Sequence, residues 1–354
     1  MSKLPTSRLE ALDYLRGFFI AVIIIDHLWR WPNLLAAFTG EGRLWVSAAE
    51  GFVIISGLLV GYVRGHKNKE LPLKKVSEKL FKRAFLLYVW FVIMTLVYTG
   101  IIWYAPLVAA MPWIDVAKGD WSTLVQQTVT MNIAHTWVHF LYMYAIFLAL
   151  TPIAIWLLRR NKAPVAILLS IIGYGIGKHY SIEWLEWLPV FFIPAVAGYY
   201  LPAVQTWWHS QRGEKRQRLK NTLYAVTLGS LIASIFTTYI FAGHPLSVFV
   251  NDFFSKEFTL DFWRIILSFV WFTAFALLFN QLLPWLQRYT KWLLIPFGTN
   301  SLTAYISHGM IVIVIGLVFV DSNNIIINTL LGIVAVLGVW ALLRIPFITK
   351  ILPR

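Results

Sequence analysis

Residues 11–30 read ALDYLRGFFIAVIIIDHLWR. From Phe18 to Ile25 the run is wholly apolar, and a helix of about 20 such residues crosses the roughly 30 Å hydrocarbon core of a bilayer. The same stretch nevertheless carries Asp13, Arg16 and His27. Ionisable groups at that depth are costly, and they mark either a function or a buried pair. The segment therefore predicts a transmembrane helix with chemistry on it.

Nine further apolar runs follow, at 44–63, 84–104, 134–158, 163–180, 184–202, 222–242, 260–283, 294–320 and 325–345. Hydrophobic residues make up 59% of the 354 and charged residues only 13%, about half the charge of a soluble domain. The expectation is an all-α polytopic membrane protein of about ten transmembrane helices, with 1–354 as a single transmembrane domain. No loop is long enough for a separate soluble domain. The longest, from Ala105 to Ile133, holds an amphipathic stretch from Ser122 to Met131 suited to lying on the membrane surface. Lys3 and Arg8 lead into the first span with no small-residue cleavage site, so that span reads as a retained anchor.

A formal net charge of +14 would suggest nucleic acid in a soluble chain. Here the basic residues cluster in short connections. With the N-terminus inside, 23 of the 30 fall on one side, including eight between Arg64 and Arg83. That asymmetry predicts both termini in the cytoplasm and lipid, not nucleic acid, as the partner. Most of the Trp residues fall near predicted span ends, as an aromatic belt would. The absence of cysteine excludes thiolate catalysis and Cys-based zinc sites.

Arg16 and His27 are 11 residues apart, which on a helix is three turns plus about 20°, so they share a face about 16 Å apart along the axis. Asp13 lies one turn before Arg16 and is placed to hold its guanidinium. Asp26 points about 100° away from His27 and is a poorer partner. In the second span Ser47, Glu50, Gly57 and Gly61 line one face, whose small residues allow close packing on the first helix. Glu50 would then orient His27, as a carboxylate beside a catalytic imidazole does. The plainer alternative is that both pairs only lock helices together.

Other polar positions are less specific. His135 and His139 stand i, i+4 on the predicted fourth helix with Tyr142, and no third ligand makes them a metal site. Asp261 and Arg264 read as a structural i, i+3 pair. Tyr305 and His308 share a face with Ser301, so His308 either lines a cavity or donates to a backbone carbonyl. Lys178, His179, Glu183 and Glu186 form a polar rim. These features describe a path across the membrane, and two classes fit it. A transporter would bind an anion at Arg16 and carry a proton on His27. A transferase would bind a long activated donor from the cytoplasm and let an outside acceptor attack near His27.

Asp13-Tyr14-Leu15-Arg16-Gly17 with His27 resembles the first-helix signature of the acyltransferase type 3 membrane family. Ala48-Ala49-Glu50-Gly51-Phe52 through Ser56-Gly57 is similar to its second helix, and more narrowly to the branch that succinylates osmoregulated periplasmic glucans. Phe140–Tyr144 with Thr151-Pro152, and Phe297–Ser301 leading to Tyr305 and His308, resemble later landmarks. The resemblance implies transfer of an acetyl or succinyl group from cytoplasmic acyl-CoA to an extracytoplasmic glycan or cell-envelope acceptor. It implies a multi-pass protein of the bacterial plasma (inner) membrane. By the same resemblance Arg16 and His27 are essential and Glu50 supports them. Some members carry a second extracytoplasmic domain that completes transfer. Without one here, transfer is either direct or finished by a separate extracytoplasmic transferase. On this reading Arg64, Lys67, Lys69, Lys74 and Lys75 meet the CoA phosphates, unless they serve only topology. Arg16 aligns the donor and His27 is the general base. Asp13, His139, Tyr142 and His308 are candidate substrate contacts, and no metal is called for. No residue looks like an activated nucleophile, which favours direct attack over an acyl-enzyme.

Overall fold

The computed structural model describes residues 6–106, 114–254 and 260–353. Lys3, Trp113, Lys256 and Arg354, which enter the charge and aromatic patterns above, lie outside those residues.

Every described element is helical. In chain order they are α1 (Thr6–Asp26), α2 (Leu34–Thr39), α3 (Ala48–Val60), α4 (Leu73–Tyr104), α5 (Trp121–Val129), α6 (His139–Arg159), α7 (Ala163–Tyr180), α8 (Glu183–Glu186) and α9 (Leu188–Tyr199). Then come α10 (Leu201–Ser210), α11 (Gly213–Ile235), α12 (Pro245–Phe254), α13 (Phe262–Gln281), α14 (Leu283–Tyr289), α15 (Lys291–Thr299), α16 (Ser301–Val318), α17 (Ile325–Leu342) and α18 (Pro346–Ile351). A short 3₁₀ turn, Gly40–Gly42, follows α2, and π-turns extend α3 over Gly61–His66 and α11 over Phe236–Ile240.

By length and composition, seven of the described helices can cross a membrane, or eight if the pair Glu183–Tyr199 and Leu201–Ser210, bent by 69°, forms one span. This is a membrane protein. Each expected run contains a helix, but not every run is one unbroken helix. The run at 184–202 breaks at Trp187 and Tyr200. The run at 294–320 breaks at Asn300, whose side-chain amide donates to the Pro296 carbonyl at 3.1 Å. The basic connection at 64–83 is a turn only over 67–72 and is otherwise helical. Arg64 sits on the π-turn, while Lys74 and Lys75 open α4. The amphipathic stretch is α5, capped by Asp120, which accepts from the Thr123 backbone at 3.0 Å. Hydrogen bonds from the Thr123 side chain and backbone hold that carboxyl below its ordinary range.

The chain divides into two compact units. One holds the residues up to Phe19, Gly42–Val76 and Pro152–Ile295; the other holds Ile20–Glu41, Ser77–Thr151 and the chain from Pro296 onward. In the first, α3 packs on α9 at backbone distance. A side chain at Gly57 or Gly61 would strike the carbonyls of Phe191 and Ala195, and one at Gly198 would strike that of Leu58. Small residues on both helices bring the chains together as in lipid-embedded pairs. The expected glycine face thus meets α9, not α1. The first helix touches α3 higher up, where Gly51 faces the Phe19 ring. Arg159 fixes the turn before α4 by donating to the Leu71 and Asn68 carbonyls at 2.7 and 2.8 Å.

In the second unit α16 packs on α17, and α2 also meets α17. Two amides stitch this contact. Asn33 donates to the Asn328 carbonyl at 3.2 Å, and Asn328 donates to the carbonyls of Pro32 and Ser322 at 3.0 and 2.7 Å. Buried amides need such partners, and their geometry fixes the register of the segments they join.

Candidate active site

His27 is the residue immediately after α1, and its backbone N–H closes the last turn onto Ile23 at 3.0 Å. The chain behind it is tied to α16. Arg30, only 5% exposed, donates to the Phe319 and Val320 carbonyls just past that helix and lies 3.8 Å from Asp321. These are carbonyls with no intrahelical donor, the groups a guanidinium satisfies at a helix C-terminus. Asp26 accepts from Thr39. The stretch from Asp26 to Asn33 is therefore pinned at both flanks.

On α16 every residue from Ser301 to Gly309 is buried, and Tyr305 and His308 share one side, as their spacing predicts. His308 Nδ1 bonds the Tyr305 carbonyl, and His27 Nδ1 lies 2.7 Å from His308 Nε2. A carbonyl can only accept, so His308 carries its proton on Nδ1 and leaves Nε2 as an acceptor. His27 Nδ1–H must then be the donor, which puts the lone pair of neutral His27 on Nε2. One chain of bonds thus sets both tautomers. Tyr305 is held too: its hydroxyl accepts from the Phe140 N–H at 3.2 Å.

His135 and His139 do not share a helix face. α6 begins at His139, and His135 lies in the turn before it, buried against Trp137 and Tyr98 with ring centroids 4.8 and 5.5 Å away. His139 meets Tyr142 edge to face at 5.1 Å. Among the described residues no three His, Asp or Glu side chains come together as metal ligands would.

The remaining candidates belong to the first unit. Asp13 and Arg16 are half-buried one turn apart, close enough for the arginine's charge to act on the carboxylate. Glu50, fully buried, does not have the expected partner. It accepts from the backbone N–H of Ser47 at 2.8 Å and from the Ser47 hydroxyl, and it forms an ion pair with Arg264. The reason is local. Ser47-Ala48-Ala49-Glu50 is a capping box at the start of α3, and the box turns the carboxylate toward its own helix end. Asp261, expected beside Arg264, instead receives Lys178 at 3.0 Å, and Glu186 lies 3.7 Å from the same ammonium. Lys67, Lys74 and Lys75 are exposed and Arg64 half-buried, with the Lys67 ammonium 5.0 Å above the Tyr62 ring.

A family profile described as OpgC protein matches residues 8–348, nearly the entire chain. The chain belongs to the OpgC protein family. No curated protein and no solved structure matches it. In this OpgC family member the histidine pair, its Tyr305 anchor and the Glu50–Arg264 pair all fall inside the matched span. Two features had no clear signal in sequence. His27 and His308 are 281 positions apart, and no periodicity joins residues at that range. Arg30 belongs to no motif, although a cation beside the end of an apolar span is a candidate helix cap.

Proposed function

We propose that this protein is an integral membrane O-acyltransferase of the acyltransferase type 3 kind. It moves an acetyl or succinyl group from cytoplasmic acyl-CoA to an extracytoplasmic glycan or other cell-envelope acceptor. The proposal includes about ten crossings, both termini in the cytoplasm and residence in a bacterial inner membrane. Membership of the OpgC family supports the acyltransferase class. The observation that carries the mechanism is the bond chain from the Tyr305 carbonyl through His308 to His27, because it leaves the unprotonated nitrogen at His27 Nε2.

In the proposed step the acceptor hydroxyl gives its proton to His27 Nε2 as its oxygen attacks the thioester carbonyl carbon. The imidazolium that forms is steadied through Nδ1–H by His308, so His308 takes the supporting role expected of Glu50. The tetrahedral intermediate then collapses, the C–S bond breaks, and the thiolate of CoA recovers the proton from His27 Nε2. The products are an ester on the acceptor and free CoA–SH. Arg16 aligns the donor. Arg64, Lys67, Lys74 and Lys75 meet its phosphates as mobile point charges. Transfer is direct or is completed by a separate extracytoplasmic transferase.

The test is mass spectrometry of glucan offered to one face of sealed vesicles that hold the purified protein, with acyl-CoA on the other. Wild-type protein is expected to add one acyl mass, and His27→Ala to add none while inserting normally. Equal acylation by His27→Ala would remove the base assignment. Solute movement without acyl-CoA consumption would replace the enzyme with a transporter.

A further inference from the structure

Beside His308 two ring N–H groups are buried with nothing to donate to. His135 Nδ1 accepts the Trp137 backbone N–H at 3.3 Å, so the ring proton of neutral His135 sits on Nε2. That Nε2–H and the indole Nε1–H of Trp137 have no hydrogen-bond partner among the described residues, and both side chains have zero exposure. Their neighbours are paired. Tyr98 donates to the Ile306 carbonyl, the Tyr305 hydroxyl accepts from Phe140, and both nitrogens of His308 are bonded. In a native interior an unpaired buried donor asks for an explanation, and two on adjacent rings ask for a common one.

The rings lie close to the base. The centroids of His135 and Trp137 are 4.8 Å apart, and Trp137 lies 6.4 Å from His308, which itself holds His27. The indole cannot swing freely, since a Cβ at Gly309 would already press on Trp137 and Tyr98 at 2.7 and 2.8 Å. An indole N–H only donates, and this His135 tautomer donates from Nε2, so the pair suits an oxygen that gains negative charge.

We propose that His135 and Trp137 form the oxyanion site of the acyl transfer: their ring N–H groups receive the carbonyl oxygen of the acyl group as it becomes tetrahedral. This rests on the acyltransferase reading. As the acceptor oxygen bonds the carbonyl carbon, the C=O π pair moves onto oxygen, where the two donors stabilise it. On collapse the pair returns and the thiolate departs. Fixed donors aimed at charge that appears only in the transition state act on kcat rather than on substrate binding.

The experiment uses the purified protein in lipid vesicles, with acyl-CoA and glucan. Trp137 is replaced by benzothienylalanine, a sulfur isostere of the same shape that lacks the N–H. His135 is changed in one variant to Leu and in another to Gln, whose amide places a donor near the position of Nε2. The isostere and His135→Leu are expected to lower kcat by about 10²–10³-fold at unchanged KM, as loss of one oxyanion donor does. His135→Gln should recover most of the activity. Unchanged kcat in the isostere, or equal losses in the Gln and Leu variants, would overturn the oxyanion site and leave the His27 reading standing. Absence of acyl transfer in the wild type would instead overturn the parent reading. Thermal unfolding separates misfolding from lost chemistry, and the isostere keeps the test sharp if His135→Leu does not fold.

Discussion

Two polar pairs, one in each compact unit, are satisfied in opposite ways. Glu50 and Arg264 are of opposite charge. Each has a direct partner, and the Ser47 capping box saturates the carboxylate further. His27 and His308 carry no opposite charge between them, and their bonding leaves one nitrogen, His27 Nε2, with its lone pair available. A saturated pair holds helices together and offers nothing to a substrate. A neutral donor chain ending in a lone pair is a poorer lock and leaves the nitrogen that the proposed reaction uses. Depth in the membrane alone does not separate the two, although it first drew attention to both.

The contrast predicts different kinds of damage. Glu50→Ala should leave Arg264 buried without its carboxylate and cost about 3–5 kcal/mol of stability, read as thermal unfolding in detergent. Replacing both residues together, Glu50→Leu with Arg264→Met, should recover most of that loss. Recovery of stability without recovery of acyl transfer per folded molecule would show that Glu50 has a chemical role after all. His308→Leu should act in the reverse sense. It should lower kcat by about 10²-fold, in the range a positioned base or its support contributes, with little change in unfolding temperature. The smallest effect is expected from Gly57→Ala. The added methyl would meet the Phe191 backbone, and overpacking of this kind costs about 1–3 kcal/mol, measured by unfolding, with kcat unchanged in the folded fraction.

Much of the helical layout is readable from the chain, because an apolar run of membrane length has few other uses. Where the reading fails, the cause is local. Asn300 and the Pro296 carbonyl interrupt what hydropathy treats as one helix, and the prolines and tyrosines around 184–202 divide another. Hydropathy sums over a window and does not register a single broken hydrogen bond. The candidate residues were legible as types. His27, Glu50 and His308 stand out because ionisable groups are rare in apolar spans. Their partners were not, since pairing depends on which distant segments meet. Glu50 is instructive because the correct clue was local. Ser47 three residues earlier marks a capping box, and a carboxylate engaged by its own helix end is already half committed. The glycines of α3 likewise announced a close helix contact without naming α9 as its other side.

The most direct test sets the two pairs against each other in one assay. Acyl transfer from acyl-CoA to glucan is measured for the wild type, His27→Gln and Glu50→Gln, each normalised to folded protein in the same vesicles. The account predicts transfer abolished in His27→Gln and largely retained in Glu50→Gln. Transfer retained in His27→Gln, or lost in Glu50→Gln with folding intact, would contradict it.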